Sequence, residues 1–92
     1  MILSFRCTST QALFEGRRQA KFINVRTTAE RKLQMLDSAA TLGFLRAPPG
    51  NRLEALRGNR AGQHSIRIND QWRLCFVWTS DGVIDVEIVD YH

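Results

Sequence analysis

Ninety-two residues are expected to make one domain, 1–92, with a single core and no separate regulatory module. A hydrophobic share of 43% beside 24% charged residues excludes a disordered tail, and no run approaches the roughly 18 apolar residues of a membrane span. The formal net charge is +4, and 11 of the 13 basic residues are arginine, whose planar fork matches phosphate oxygens, so nucleic acid is the favoured partner class.

Charge of this size by itself fits an ordinary solvated basic surface equally well. The distribution shifts the balance. Six arginines stand against two acids between Arg46 and Arg73, while Leu74 to His92 holds four acids and no lysine or arginine. Cys7 and Cys75 show neither a CxxC nor a finger spacing, so zinc is not expected and a disulfide is not required; no carboxylate cluster or metal-spaced motif appears either, and no cofactor is expected. With no basic-then-apolar leader, the sequence reads as a soluble cytoplasmic protein.

Met1 to Arg6 is a short apolar run that fits a strand, and Thr10 to Glu15 predicts one or two helical turns before Gly16. Arg17 to Arg26 reads as a loop or irregular helix with Phe22, Ile23 and Val25 free to pack. Thr27-Thr28-Ala29-Glu30 matches a capping box, predicting that a helix starts there. Ala29, Leu33, Leu36 and Ala40 form its apolar stripe opposite Arg31, Gln34 and Ser38, with Gly43 as the end and Pro48-Pro49-Gly50 as a barrier.

Asn51 to Ala61 reads as an exposed connection anchored by Leu53 and Leu56. His64 to Ile68 alternates as a strand, Ile66 and Ile68 on one face, Ser65 and Arg67 on the other, and Asn69-Asp70-Gln71 turns the chain. Trp72, Leu74, Phe76 and Trp78 alternate with Arg73, Cys75 and Val77 in a strand expected to bury its even-numbered face and to lie centrally in the sheet. Ile84, Val86 and Ile88 oppose Asp85 and Glu87 in the strand that follows. Apolar faces must meet, so paired residue numbers in these two strands sum to an even number; this predicts a three-residue loop, Ser80 to Gly82, and puts Arg73 opposite Val89 and diagonal to Tyr91. Strict alternation turns Asp90 and His92 the other way. The fold class is α+β, an antiparallel sheet of three or four strands with helices on one face.

The sequence closes on Asp90, Tyr91 and His92 beside Trp72-Arg73, and together these residues hold what metal-free RNA cleavage needs. An imidazole titrates near neutrality and can move a proton, so His92 is the candidate acid or base and Asp90 its carboxylate partner. Tyr91, the only tyrosine, can stack on a base or donate to phosphate. Arg73 projects from a strand where it can meet a scissile phosphate, or can instead form a salt bridge to Asp85 or Glu87. Arg57, Arg60 and Arg67 are candidate phosphate contacts. Glu54 is either a solvated charge or a base for the 2′-OH, and His64 is read as a surface or packing residue rather than a second base. Ser4, Ser65 and Ser80 lack the setting of a nucleophile.

Leu53-Glu-Ala-Leu-Arg-Gly-Asn-Arg-Ala-Gly-Gln-His-Ser-Ile-Arg-Ile-Asn, then Trp72-Arg73, then Asp90-Tyr91-His92, resembles the HigB-type toxins of the RelE superfamily over nearly the whole chain. The resemblance implies a compact RelE-like fold and the toxin of a type II toxin–antitoxin module. It further implies an mRNA endonuclease that works in the ribosomal A site by attack of the RNA's own 2′-OH. It implies a HigA-type helix-turn-helix antitoxin as partner, with operator DNA reached only through that antitoxin. Arg57 then corresponds to a basic phosphate contact, Arg73 to the transition-state arginine, and Asp90, Tyr91 and His92 to the terminal cluster. HigB toxins often carry a histidine where this chain has Glu54, and often lysine at Arg57, a departure that points to a slow or mild enzyme. Two other readings are open at this stage: a non-catalytic ribosome- or RNA-binding growth inhibitor, and a co-repressor subunit for an antitoxin.

Overall fold

A computed structural model describes residues 1–90. Its centre is a four-stranded antiparallel sheet in chain order, β1 (Glu54–Ala55), β2 (His64–Arg67), β3 (Trp72–Trp78) and β4 (Val83–Asp90), preceded by helices α1 (Thr8–Phe14) and α2 (Arg26–Ser38). The fold is α+β and RelE-like. No helix among the described residues is long and apolar enough to cross a membrane.

Alternation in β2 to β4 gives the sheet one apolar face, and Ile66, Leu74, Phe76, Val86 and Ile88 meet Leu13, Phe22, Ala29, Leu33, Leu36 and Leu45 there in one cluster. The stripe of α2 is the one the spacing predicts, except at its end: Ala39 is buried and Ala40 exposed. The helix does not run to Gly43. Ala39 leaves helical geometry to enter the core, and Thr41 caps a separate 3₁₀ turn, Leu42–Arg46, by accepting from Phe44 N at 3.2 Å. The capping box is likewise not used. Val25 is the N-cap, without a side-chain cap bond, because the turn Ala20–Phe22 runs almost directly into the helix through Val25 N donating to Phe22 O at 3.0 Å. Burial of Phe22 and Val25 thus sets the helix start, and the two threonines fall inside its first turn, where Arg26 faces Glu30 at 3.5 Å.

Register between β3 and β4 is even, as parity demands, from Trp72↔Asp90 to Cys75↔Glu87, with Arg73 opposite Val89. Nearer the turn it becomes odd: Val77 faces Ile84, and Thr79 and Gly82 exchange backbone bonds around a two-residue Ser80-Asp81 loop. The predicted three-residue loop is therefore absent. A bulge at Asp85, with φ of 54°, absorbs the extra residue instead, leaving Val83 buried and Ile84 half-buried.

Met1 to Arg6 runs parallel along the outer edge of β4, with bridges Ile2↔Val83 and Phe5↔Val86. Leu3 N donates to Val83 O, Val86 N to Ser4 O and Arg6 N to Val86 O, while Ile88 N donates to the buried Thr10 hydroxyl at 3.0 Å. This covers an edge that would otherwise invite pairing with another chain. The contact is close enough that a Cβ on Gly82 would lie 2.8 Å from Met1 O and Leu3 Cγ. Asn51, expected in an exposed connection, is fully buried; its amide donates to Leu45 O at 3.0 Å and its oxygen accepts from the buried Lys32 ammonium.

Candidate active site

The sheet's other face is polar. Register aligns Glu54, Ser65, Cys75 and Glu87 in one row across all four strands, and places Arg67 directly opposite Arg73 in the next. Two like charges at a cross-strand pair repel unless anions neutralise them. Arg67 turns to Asp70, and Arg73 faces Glu54 across 3.4 Å.

Arg73 is the most constrained of these cations. Its Nε donates to Ser65 Oγ at 2.8 Å, and its Nη2 donates to Arg52 O at 2.8 Å and approaches Ser65 O at 3.5 Å, leaving the side chain 12% exposed. Arg52 adopts left-handed geometry, φ 46° and ψ 55°, uncommon for a residue with a side chain. The salt bridge expected to Asp85 or Glu87 is not the one formed: Glu54 faces Arg73, and Glu87 instead meets Arg60 Nη1 at 3.3 Å. Arg60 also donates to Gln63 Oε1 at 3.0 Å. Cys75 is completely buried within this polar row. Burial pushes its thiol up, the charges of Glu87 and Glu54 push the same way, and Arg60 and Arg73 pull back.

The sequence candidates thus divide. Arg73, Glu54, Arg60 and Arg67 share the polar face. Arg57 is exposed just before the 3₁₀ turn Gly58–Arg60. Asp90 stands opposite Trp72 and so belongs by register to the alternate face; its carboxylate accepts from Gln71 Nε2 at 3.0 Å. Tyr91 and His92 lie outside the described residues. His64 stacks on Phe76 with ring centroids 6.2 Å apart, consistent with a packing residue. Among the described residues no group of three or more His, Cys, Asp or Glu could hold a metal ion.

Sequence reasoning missed Ser65 and the Arg52 carbonyl as partners of Arg73. The first was within reach: the turn Asn69 to Gln71 joins Ile68 to Trp72, an even sum that puts Ser65 diagonal to Arg73. The second was not, because a main-chain carbonyl leaves no mark in composition or spacing.

Comparison with known proteins agrees with this architecture. Residues 4–92 match the family described as the RelE-like toxin of type II toxin-antitoxin system HigB. The chain is 39% identical over 94 aligned residues to Toxin HigB-1 of Vibrio cholerae serotype O1 (strain ATCC 39315 / El Tor Inaba N16961), an alignment covering all of this chain and 98% of that protein. It is also 35% identical over 60 residues to an uncharacterized protein of Haemophilus influenzae, covering 65% of this chain and 59% of the relative. A family match over nearly the full length, a full-length relative and the α+β sheet lead to one conclusion: the chain belongs to the HigB-like toxins of the RelE superfamily, and is the toxin of a type II toxin–antitoxin module with an antitoxin as its partner.

Proposed function

We propose that this toxin is a ribosome-dependent endoribonuclease that cuts mRNA without a metal and so stops translation. The observation that carries the reading is the cross-strand pair Arg67 and Arg73, two arginines that register sets opposite each other on one sheet face, with the Arg73 guanidinium held at Nε and Nη2. Such a pair suits a phosphodiester, whose charge rises in the pentavalent transition state, where fixed donors act most strongly.

In the proposed reaction the message's 2′ oxygen attacks the adjacent phosphorus as its proton passes to a base. The bond from phosphorus to the 5′ oxygen breaks, and that oxygen takes a proton from an acid, leaving a 2′,3′-cyclic phosphate. Arg73 stabilises the phosphorane, while Arg57, Arg60 and Arg67 hold flanking phosphates. His92 moves the proton with Asp90 orienting it, and Tyr91 stacks on a base. Glu54 stands where related toxins often carry histidine and serves as a positioning group or weak base; its 3.4 Å approach to Arg73 supports the first role. The antitoxin is of the helix-turn-helix HigA type, and the toxin acts in the cytoplasm.

The test is to map mRNA 5′ ends after induction of the parent, of Arg73→Ala and of a chain lacking only His92. New ends in the parent, lost in both variants while each stays folded, are the expected result. Growth arrest with no new ends would overturn the nuclease reading in favour of a ribosome-binding inhibitor. Full cleavage by the His92 truncation would remove the terminal cluster from the mechanism.

A further inference from the structure

We infer that Ser65 is the positioning residue for Arg73: its hydroxyl and the Arg52 carbonyl form a cradle that fixes the plane of the guanidinium before substrate arrives. The kinetic part of this inference rests on the endonuclease reading above; the structural part does not.

Ser65 lies inside β2, bracketed by Glu54 on β1 and Cys75 on β3, and is fully buried. Its backbone is held from both sides, which fixes the point from which its hydroxyl reaches Arg73. Arg73 Nε donates to that oxygen at 2.8 Å, and Nη2 on the same planar group donates to Arg52 O at the same distance. Two bonds from different nitrogens to acceptors on different elements fix both the position and the rotation of a rigid fork. Without the Ser65 hydroxyl, Nε loses the acceptor that sets its side of the fork, and the remaining contacts at Nη2 hold one corner only.

The Arg52 side of the cradle carries a conformational cost. Left-handed geometry at a non-glycine residue persists only where surrounding structure enforces it, and such residues gather at functional sites. Here the strained residue supplies the carbonyl that Arg73 reaches. Glu54, by contrast, is more than half exposed and meets the guanidinium at 3.4 Å, so it is the acidic neighbour that can give way to an incoming phosphate while Ser65 and Arg52 stay in place.

Displacement of about 1 Å at a catalytic group can cost on the order of 100-fold in rate. Ser65→Ala should therefore lower kcat for cleavage of ribosome-bound mRNA by between about 10- and 100-fold, with KM little changed, because Arg57, Arg60 and Arg67 are left as they were. Ser65→Cys, which keeps the side-chain connectivity but puts a larger, weak acceptor in place of the hydroxyl, should lose as much, and Ser65→Thr should recover activity. The second readout is nuclear magnetic resonance of the Arg73 Nε–H, expected to exchange slowly in the parent and in Ser65→Thr, and rapidly in Ser65→Ala and Ser65→Cys. An Arg73 Nε–H that exchanges alike in the parent and Ser65→Cys would overturn the inference, as would Ser65→Cys cleaving at the parental rate while Arg73→Ala does not cleave. If the parent itself fails to cleave, the endonuclease reading falls, and Nε–H exchange still decides whether Ser65 holds the arginine.

Discussion

The two faces of the sheet are buried by different means. On one, helices α1 and α2 cover Leu74, Phe76, Val86 and Ile88, and order follows from apolar area withdrawn from water. On the other, Ser65 and Cys75 are just as inaccessible, yet their cross-strand neighbours are Glu54 and Glu87, and Arg73 and Arg60 meet those two acids. The first face is insensitive to direction; any shape that fills the space will serve. The second depends on bond geometry, since buried polar groups are stable only when paired. That is why a guanidinium can be held in a set orientation on the polar face and could not be on the apolar one.

The largest effect should come from the apolar side. Phe76→Ala should destabilise the protein by about 3–5 kcal/mol, read from the denaturant midpoint, with growth inhibition lost through unfolding. A smaller loss would mean that the polar face contributes more to stability than the contrast allows. Next, Arg73→Ala should lower cleavage by about 10²–10³-fold while costing only about 1–3 kcal/mol for the acceptors left unpaired. Unfolding on the scale of Phe76→Ala would make Arg73 a structural residue first. Glu54→Ala is expected to slow cleavage less than Arg73→Ala does; a parental rate in a reconstituted ribosome assay would remove its positioning role.

Lys32 breaks the symmetry of the comparison, because it is a charge buried on α2, 8% exposed, donating to Asn51. Burial lowers its pKa from 10.5, with the charges of Arg31 and Arg67 adding to the effect. The folded state therefore releases this proton before the unfolded state does, so its contribution to stability rises as pH climbs through the window below 10.5 and is missing at neutral pH. The parent should gain stability relative to Lys32→Met between pH 7 and pH 10 in denaturant titrations, and a gap that does not change with pH would contradict the burial argument.

The smallest effect concerns the two thiols. Burial raises Cys75, whereas for Cys7 burial also pushes upward but is outweighed by hydrogen bonds with Thr10 and Ser9 and the charge of Lys21, so its net shift is downward. Cys7 is half-buried and Cys75 fully buried, so an alkylating reagent at neutral pH should label Cys7 first. Equal rates would show that the polar face opens readily.

Much of this was legible in the residues themselves. Alternation in His64 to Ile68, Trp72 to Trp78 and Val86 to Val89 sorted the two faces and required the even register that sets Arg73 against Val89, whereas at the turn end the bulge at Asp85 exchanged the expected Ile84 for Val83 on the buried face. The stripe Ala29, Leu33, Leu36 marked the helix that covers them. Its ends were not legible: burial of Val25 and Ala39 overrode a threonine cap and a glycine stop. Nor was β1, a two-residue strand that exists only because β2 offers it an edge. Tertiary structure alone decided that Glu54 rather than Asp85 or Glu87 would face Arg73, that Arg52 would turn a carbonyl toward it, and that the N-terminal segment would seal β4. Periodicity is a local property that every residue in a strand carries. Which chain segment lies beside which is settled only when the whole molecule closes, and the partners of a single guanidinium are chosen at that step.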